Sequence, residues 1–171
     1  MAAEFDPSLR RLPVYLLLDC SGSMAGEPIE AVRMGVRALL SDLKSDPQAL
    51  ENVWLNIITF SSDAKEAVPL TEVGSFQEPN ISAGGSTSLG KALTLLGKSV
   101  DRDVRKSTAS QKGDYKPMVF IMTDGAPTDS WESAADALKK KKLANIIGCA
   151  AGPGADDKVL LHVPGGRLFP L

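Results

Sequence analysis

The segment "RLPVYLLLD", residues 11–19, is a nearly continuous apolar run that stops at a carboxylate. A strand covered on both faces reads this way, because neither face meets water and no polar alternation is needed. A polar turn follows, then "GEPIEAVRMGVRALLSDLK" (26–44), in which Ile29, Val32, Val36, Leu39, Leu40 and Leu43 recur at helical spacing. Pro28 suits the first turn of that helix.

The alternation continues. "NVWLNIITF" (52–60) reads as a second strand, with Trp54 among its core residues, and "AKEAVPL" (64–70) as a short third. Pro69 cannot donate to a ladder, which puts the third strand at a sheet edge. The Gly- and Ser-rich "SAGGSTS" (82–88) precedes a helix carrying Leu89, Leu93, Leu96 and Val100. Then come "KPMVFIMTD" (116–124) as strand, "SWESAADALKKKK" (130–142) as helix and "LANIIGCAAG" (143–152) as strand. The predicted fold is α/β: a Rossmann-like, doubly wound, mainly parallel central sheet with one antiparallel edge strand and helices on both faces. "RKSTASQKGDYK" (105–116) joins a helix to the next strand, so it belongs at the amino edge, with the composition of a mobile loop.

At 171 residues the chain fits one domain. Its net charge of −2 argues against a general nucleic-acid binder. No apolar run approaches the roughly 18 residues of a membrane span, and "MAAEFDPSLRR" lacks the apolar core of a signal peptide. Cys20 and Cys149 lie inside apolar runs and read as reduced core residues, so the chain reads as cytoplasmic.

In a parallel sheet, functional groups gather on the loops beyond the carboxyl ends of the strands. Three such loops carry hydroxyls or carboxylates with glycines: "DCSGSMAGE", "SAGGSTSLG" and "TDGAPTD". Asp19, Ser21 and Ser23 come from the first, Thr87 from the second and Asp124 from the third. All five offer oxygen, the preference of a hard divalent cation such as Mg²⁺ or Mn²⁺. The one-residue gaps in D-x-S-x-S let a tight turn aim alternate side chains at one point, with Gly22 relieving the crowding. Neutral hydroxyls leave positive charge on the ion, and an open position then accepts a carboxylate from outside.

D-x-S-G-S after a first strand, the threonine of "GGSTSLG" and the aspartate of "TDGAPTD" resemble the von Willebrand factor A domain and its metal-ion-dependent adhesion site. The resemblance covers about residues 11–153 and implies direct ligation by Ser21 and Ser23. It implies direct or water-mediated ligation by Thr87, and a mainly water-mediated role for Asp19 and Asp124. The longer segments, among them "VPLTEV", "GGSTSLGKAL" and "FIMTDGAPTD", are similar to the small cytoplasmic TerY-like proteins of bacterial tellurite-resistance clusters. That likeness implies an interaction module beside a protein kinase and a PP2C-like phosphatase in a stress response.

On this reading residues 1–10 are an N-terminal extension, 11–153 the domain and 154–171 an atypical tail. "ADDKVLLHVPGGRLFPL" offers at most a short helix around 155–162, so the closing strand and helix of such domains are expected to be missing. The edge left open then invites self-association. Met24 and Glu27 flank the first loop as candidate partner contacts, and Trp131 is expected to be partly exposed near the metal.

Rival chemistries fit less well. "GSTSLGKA" (85–92) matches the G-x-x-x-x-G-K of a phosphate loop, but Ala92 stands where Ser or Thr must hold magnesium. A Mg²⁺-dependent phosphohydrolase using Asp19 as nucleophile is the alternative enzyme; Ser21 stands where it needs a second aspartate as general acid. A serine hydrolase has no G-x-S-x-G here, and the sole histidine, His162, lies in the tail. Any single Ser, Thr or Asp reads by default as a helix cap. Asp129, three residues before Glu132, fits a capping box. Lys139 to Lys142 close a helix, complementing its dipole.

Overall fold

The computed structural model describes residues 10–123, 129, 131–141, 145–150 and 166–170. Its strands are β1 (Leu12–Asp19), β2 (Val53–Phe60), β3 (Ala64–Glu72), β4 (Met118–Thr123), β5 (Asn145–Ala150) and β6 (Gly166–Pro170). They form one sheet in the order β3-β2-β1-β4-β5-β6. β3 runs antiparallel to β2, and every other neighbouring pair is parallel.

The apolar run of β1 divides its side chains between two cores, as a doubly covered strand must. Val14, Leu16 and Leu18 pack in the cluster that holds Ile29, Val32, Val36 and Leu40 of α1 (Glu27–Lys44). Tyr15 and Leu17 pack on the opposite face, with Leu89, Leu93 and Leu96 of α3 (Leu89–Asp103) and Ala135 and Leu138 of α4 (Glu132–Lys139). A short α2 (Pro47–Asn52), capped by the Asp46 side chain accepting the Gln48 N–H, joins α1 to β2. Strand order reverses between β1 and β4, so the loops after these strands diverge and leave a crevice at their carboxyl ends.

β3 is the antiparallel edge strand that Pro69 requires, and the β2–β3 register shifts between Leu55 and Ile57, around that proline. At the other edge the sequence reading is corrected. The closing strand is present: residues 166–170 pair parallel with β5, from Gly166 opposite Ile146 to Pro170 opposite Ala150. It is five residues long and holds both a Gly and a Pro, so it carries little strand signal of its own. The edge of β5 is thus paired, and among the described residues β6 is the last strand on that side of the sheet. The helix expected around 155–162 lies outside the described residues.

The 105–116 segment is also tied down rather than loose. The Arg11 guanidinium donates from Nε to Asp114 Oδ1 at 2.9 Å and from Nη2 to Oδ2 at 2.7 Å. Both side chains are buried, and Asp114 Oδ2 also accepts the Arg105 N–H at 2.8 Å. The same guanidinium donates to the Asp103 carbonyl and stacks 4.8 Å from the Trp54 ring centre. Trp54 is therefore half-buried under a cation instead of lying in the core.

Candidate metal and partner-binding site

Asp19 ends β1 with no exposed surface, and both carboxylate oxygens are engaged. Oδ1 accepts the Ser21 N–H at 2.9 Å, which bends the chain into a turn, and Oδ2 accepts the Thr123 hydroxyl at 2.6 Å. That turn continues as one 3-10 turn, Gly22–Met24. It brings the Ser21 and Ser23 hydroxyls to 3.1 Å of each other, Ser21 buried and Ser23 exposed.

The second loop is fastened to the first by its backbone. Gly22 N–H donates to the Gly85 carbonyl at 2.8 Å, and Gly84 N–H donates to the Cys20 carbonyl at 2.8 Å. Gly85 has φ of +83°, and a Cβ there would meet the Ser62 hydroxyl at 2.6 Å. Only glycine serves at that position. Thr87, 4% exposed, follows two residues on. Beyond it the β2–β3 turn braces the loop: Ser62 Oγ accepts the Ser86 N–H at 3.1 Å, and Ser88 N–H donates to the Ser61 carbonyl at 2.8 Å.

The third loop is anchored at both ends. Thr123 bonds Asp19, as above, and Asp129 accepts the N–H groups of Gly90 and Lys91 at 3.1 and 3.3 Å. Asp129 is thus a cap, but of α3, while α4 begins after Trp131 without a side-chain cap. A carboxylate at the start of α3 also meets the positive end of its dipole. The structure therefore joins the first loop to the second, the second to the third, and the third to the first. Asp19, Ser21 and Ser23 are brought together, Thr87 lies on the adjoining loop, and Asp124 lies outside the described residues.

The donor set suits a small hard cation. The 3.1 Å between the two serine oxygens is close to the about 2.9 Å between adjacent oxygens of an octahedral ion with bonds of about 2.0–2.1 Å. Among the described residues no three His, Cys, Asp or Glu side chains gather as a metal-binding group; the five residues in question contain only two acids. Cys20 is no thiolate ligand. Its thiol is pushed up to about 11, first by burial and then by the neighbouring Asp19 carboxylate, and it points back to the Leu18 carbonyl. The Cys149 side chain lies outside the described ones.

Two flanking residues differ from expectation. Met24 is fully buried in the α1-side core, and Trp131, 9% exposed, belongs to the opposite core. Glu27 remains at the surface. The braces from Thr123 and Ser62 carry no local sequence signal, except that Thr123 shares the end of its strand with Asp124, and the capping signal of Asp129 points to α4 while its bonds go to α3.

The profile of the von Willebrand factor type A domain matches residues 14–163. The chain belongs to that family. It is 27% identical over 157 residues to a von Willebrand factor A domain-containing protein of Dictyostelium discoideum, an alignment that covers 85% of this chain and 15% of that protein. An uncharacterised Synechocystis protein is 29% identical over 134 residues, 73% of this chain and 28% of its own length. The chain thus spans less than a third of each of these relatives. Among solved structures, the manganese-loaded TRAP protein of Plasmodium vivax superposes with a TM-score of 0.63 at 20% identity, covering 94% of this chain and 69% of that one. Family and fold together support a protein-interaction module of the von Willebrand type. Among the described residues no helix is long and apolar enough to cross a membrane.

Proposed function

We propose that this domain is a non-enzymatic, metal-dependent protein-interaction module. Ser21, Ser23 and Thr87 would hold a Mg²⁺ or Mn²⁺ ion, with Asp19 and Asp124 acting mainly through water. The bound ion supplies a Lewis-acidic position for a Glu or Asp carboxylate of the partner. The observation that carries this reading is the paired serine hydroxyls, 3.1 Å apart, on a turn that Asp19 holds with one oxygen while its other oxygen accepts the Thr123 hydroxyl at the end of β4. Those bonds leave Asp19 as an organiser of the turn, in keeping with an indirect role toward the ion. The manganese named for the Plasmodium neighbour is a further support.

The finer reading is a cytoplasmic, TerY-like scaffold of a tellurite-resistance or stress-response system, with a protein kinase and a PP2C-like phosphatase as candidate partners. It rests on the likeness of the motifs. Calorimetric titration of MgCl₂ and MnCl₂ into the wild type and Ser21→Ala tests the metal, with binding expected in the first and lost in the second. A phosphate-ester assay tests the alternative. Turnover abolished by Asp19→Ala would replace the interaction module with a phosphohydrolase.

A further inference from the structure

A cavity of about 410 Å³ opens beside the metal loops, between the end of β2, the start of β3 and residues 80–84. It shares Cys20 with the first loop and Gly84 with the second, so it adjoins the two loops that carry the proposed metal ligands, although among the described residues none of those ligands lines it. Its volume falls within the roughly 300–1,000 Å³ of ligand pockets. The lining includes the polar residues Thr59, Ser61, Asn80 and Ser82 and one carboxylate, Asp63, which accepts the Ala64 N–H and stands beside Lys91.

Two lysines near this edge have different roles. Lys91 is already occupied, donating to the Ser62 carbonyl at 3.1 Å and standing 3.7 Å from Asp63. Lys65 lines the cavity from β3, directly opposite Thr59 of β2. Among the described residues it makes no ion pair and no side-chain hydrogen bond. An exposed lysine is ordinarily unremarked. Here it stands on the wall of a cavity that adjoins the loops proposed above to accept a carboxylate.

We infer that the cavity receives a second acidic side chain of the same partner, held by Lys65 while the first carboxylate meets the metal loops. This rests on the interaction-module reading above and deepens it. The recognised chemistry becomes a peptide segment with two carboxylates a few residues apart, instead of a single acid. The second contact selects the partner more than it holds it, since a charge at the rim of an interface steers and discriminates.

The test uses fluorescein-labelled peptides carrying one glutamate, or two glutamates separated by glycine spacers of varied length. Binding is followed by anisotropy with Mg²⁺ and with EDTA, on the wild type, Lys65→Gln, Lys65→Glu and Ser21→Ala. Lys65 is exposed on an edge strand, so its variants should fold, and circular dichroism checks this. At one spacing the two-glutamate peptide should bind the wild type about three- to fivefold more tightly than the single-glutamate peptide. Lys65→Gln should erase that gain and leave single-glutamate binding as it was, and Lys65→Glu should reverse the preference. An equal gain in wild type and Lys65→Gln overturns the second subsite and leaves the metal site standing. Binding indifferent to EDTA and Ser21→Ala, or absent altogether, overturns the metal-site reading and this inference with it.

Discussion

A Cβ at Gly85 would sit 2.6 Å from the Ser62 hydroxyl on a backbone with φ of +83°. Gly85→Ala should therefore cost about 2 kcal/mol in urea unfolding, from the left-handed conformation and the clash together. Gly84→Ala is the matched control. It meets nothing within 4 Å, lacks the positive φ, and should change stability by no more than about 0.5 kcal/mol. Tyr15 supplies a second prediction at this scale. Burial first, then the Asp103 carboxylate beside it, raises its phenol well above the ordinary tyrosine range. Above about pH 10 the unfolded chain loses this proton while the native chain keeps it. The native state then binds more protons, and stability falls as pH rises. Urea midpoints between pH 8 and 11 should drop more steeply for wild type than for Tyr15→Phe. The variant should also lose about 1 kcal/mol at pH 8 through its bond to Asp103. Asp19, Ser21 and Ser23 were legible as a group because they are neighbours in sequence and share one turn. Thr123, Ser62 and Asp129 were not, because the atoms they bond lie 104, 24 and 39 residues away.

Strand and helix positions followed from periodicity wherever the apolar pattern was long. The buried face of α3 is the Leu89, Leu93, Leu96, Val100 stripe read from spacing alone, and β1 was legible from its uninterrupted run. β6 was missed because five residues bounded by Gly and Pro cannot establish a period, and only β5 beside it defines it as a strand. The 105–116 connection was misread for a related reason. Its polar composition resembles a free loop, while its anchor, Arg11, stands 103 residues away from Asp114. That pair is charge-assisted, bidentate and out of water, the arrangement in which losing one partner strands a buried charge. Asp114→Ala should cost about 3–5 kcal/mol. The double change Arg11→Met, Asp114→Leu should cost less than the two single changes summed, because no charge is left unpaired. Urea melts of the set measure this. Trypsin should cut at Lys106 or Lys112 much faster in Asp114→Ala than in wild type.

Across the whole molecule, the site lies where the sheet order reverses between β1 and β4, so the loops that hold it connect elements on both faces of the sheet. The first loop leads into α1 on one face, and the second and third lead into α3 and α4 on the other. An ion held by Ser21, Ser23 and Thr87 would therefore tie the two helical layers together and should stabilise the entire fold, not one loop. A ligand at a hundred times its Kd adds about 2.7 kcal/mol to unfolding. For a domain of this length that corresponds to about 5–10 °C in Tm. Thermal melts of the wild type should thus shift upward by this amount on adding saturating Mg²⁺, and return on adding EDTA. Ser21→Ala and Thr87→Ala should melt at the same temperature with and without the ion. An equal Mg²⁺ shift in wild type and both variants would place the ion elsewhere on the molecule. The three hydroxyls would then serve only to join the loops that the backbone bonds of Gly22 and Gly84 already hold in contact.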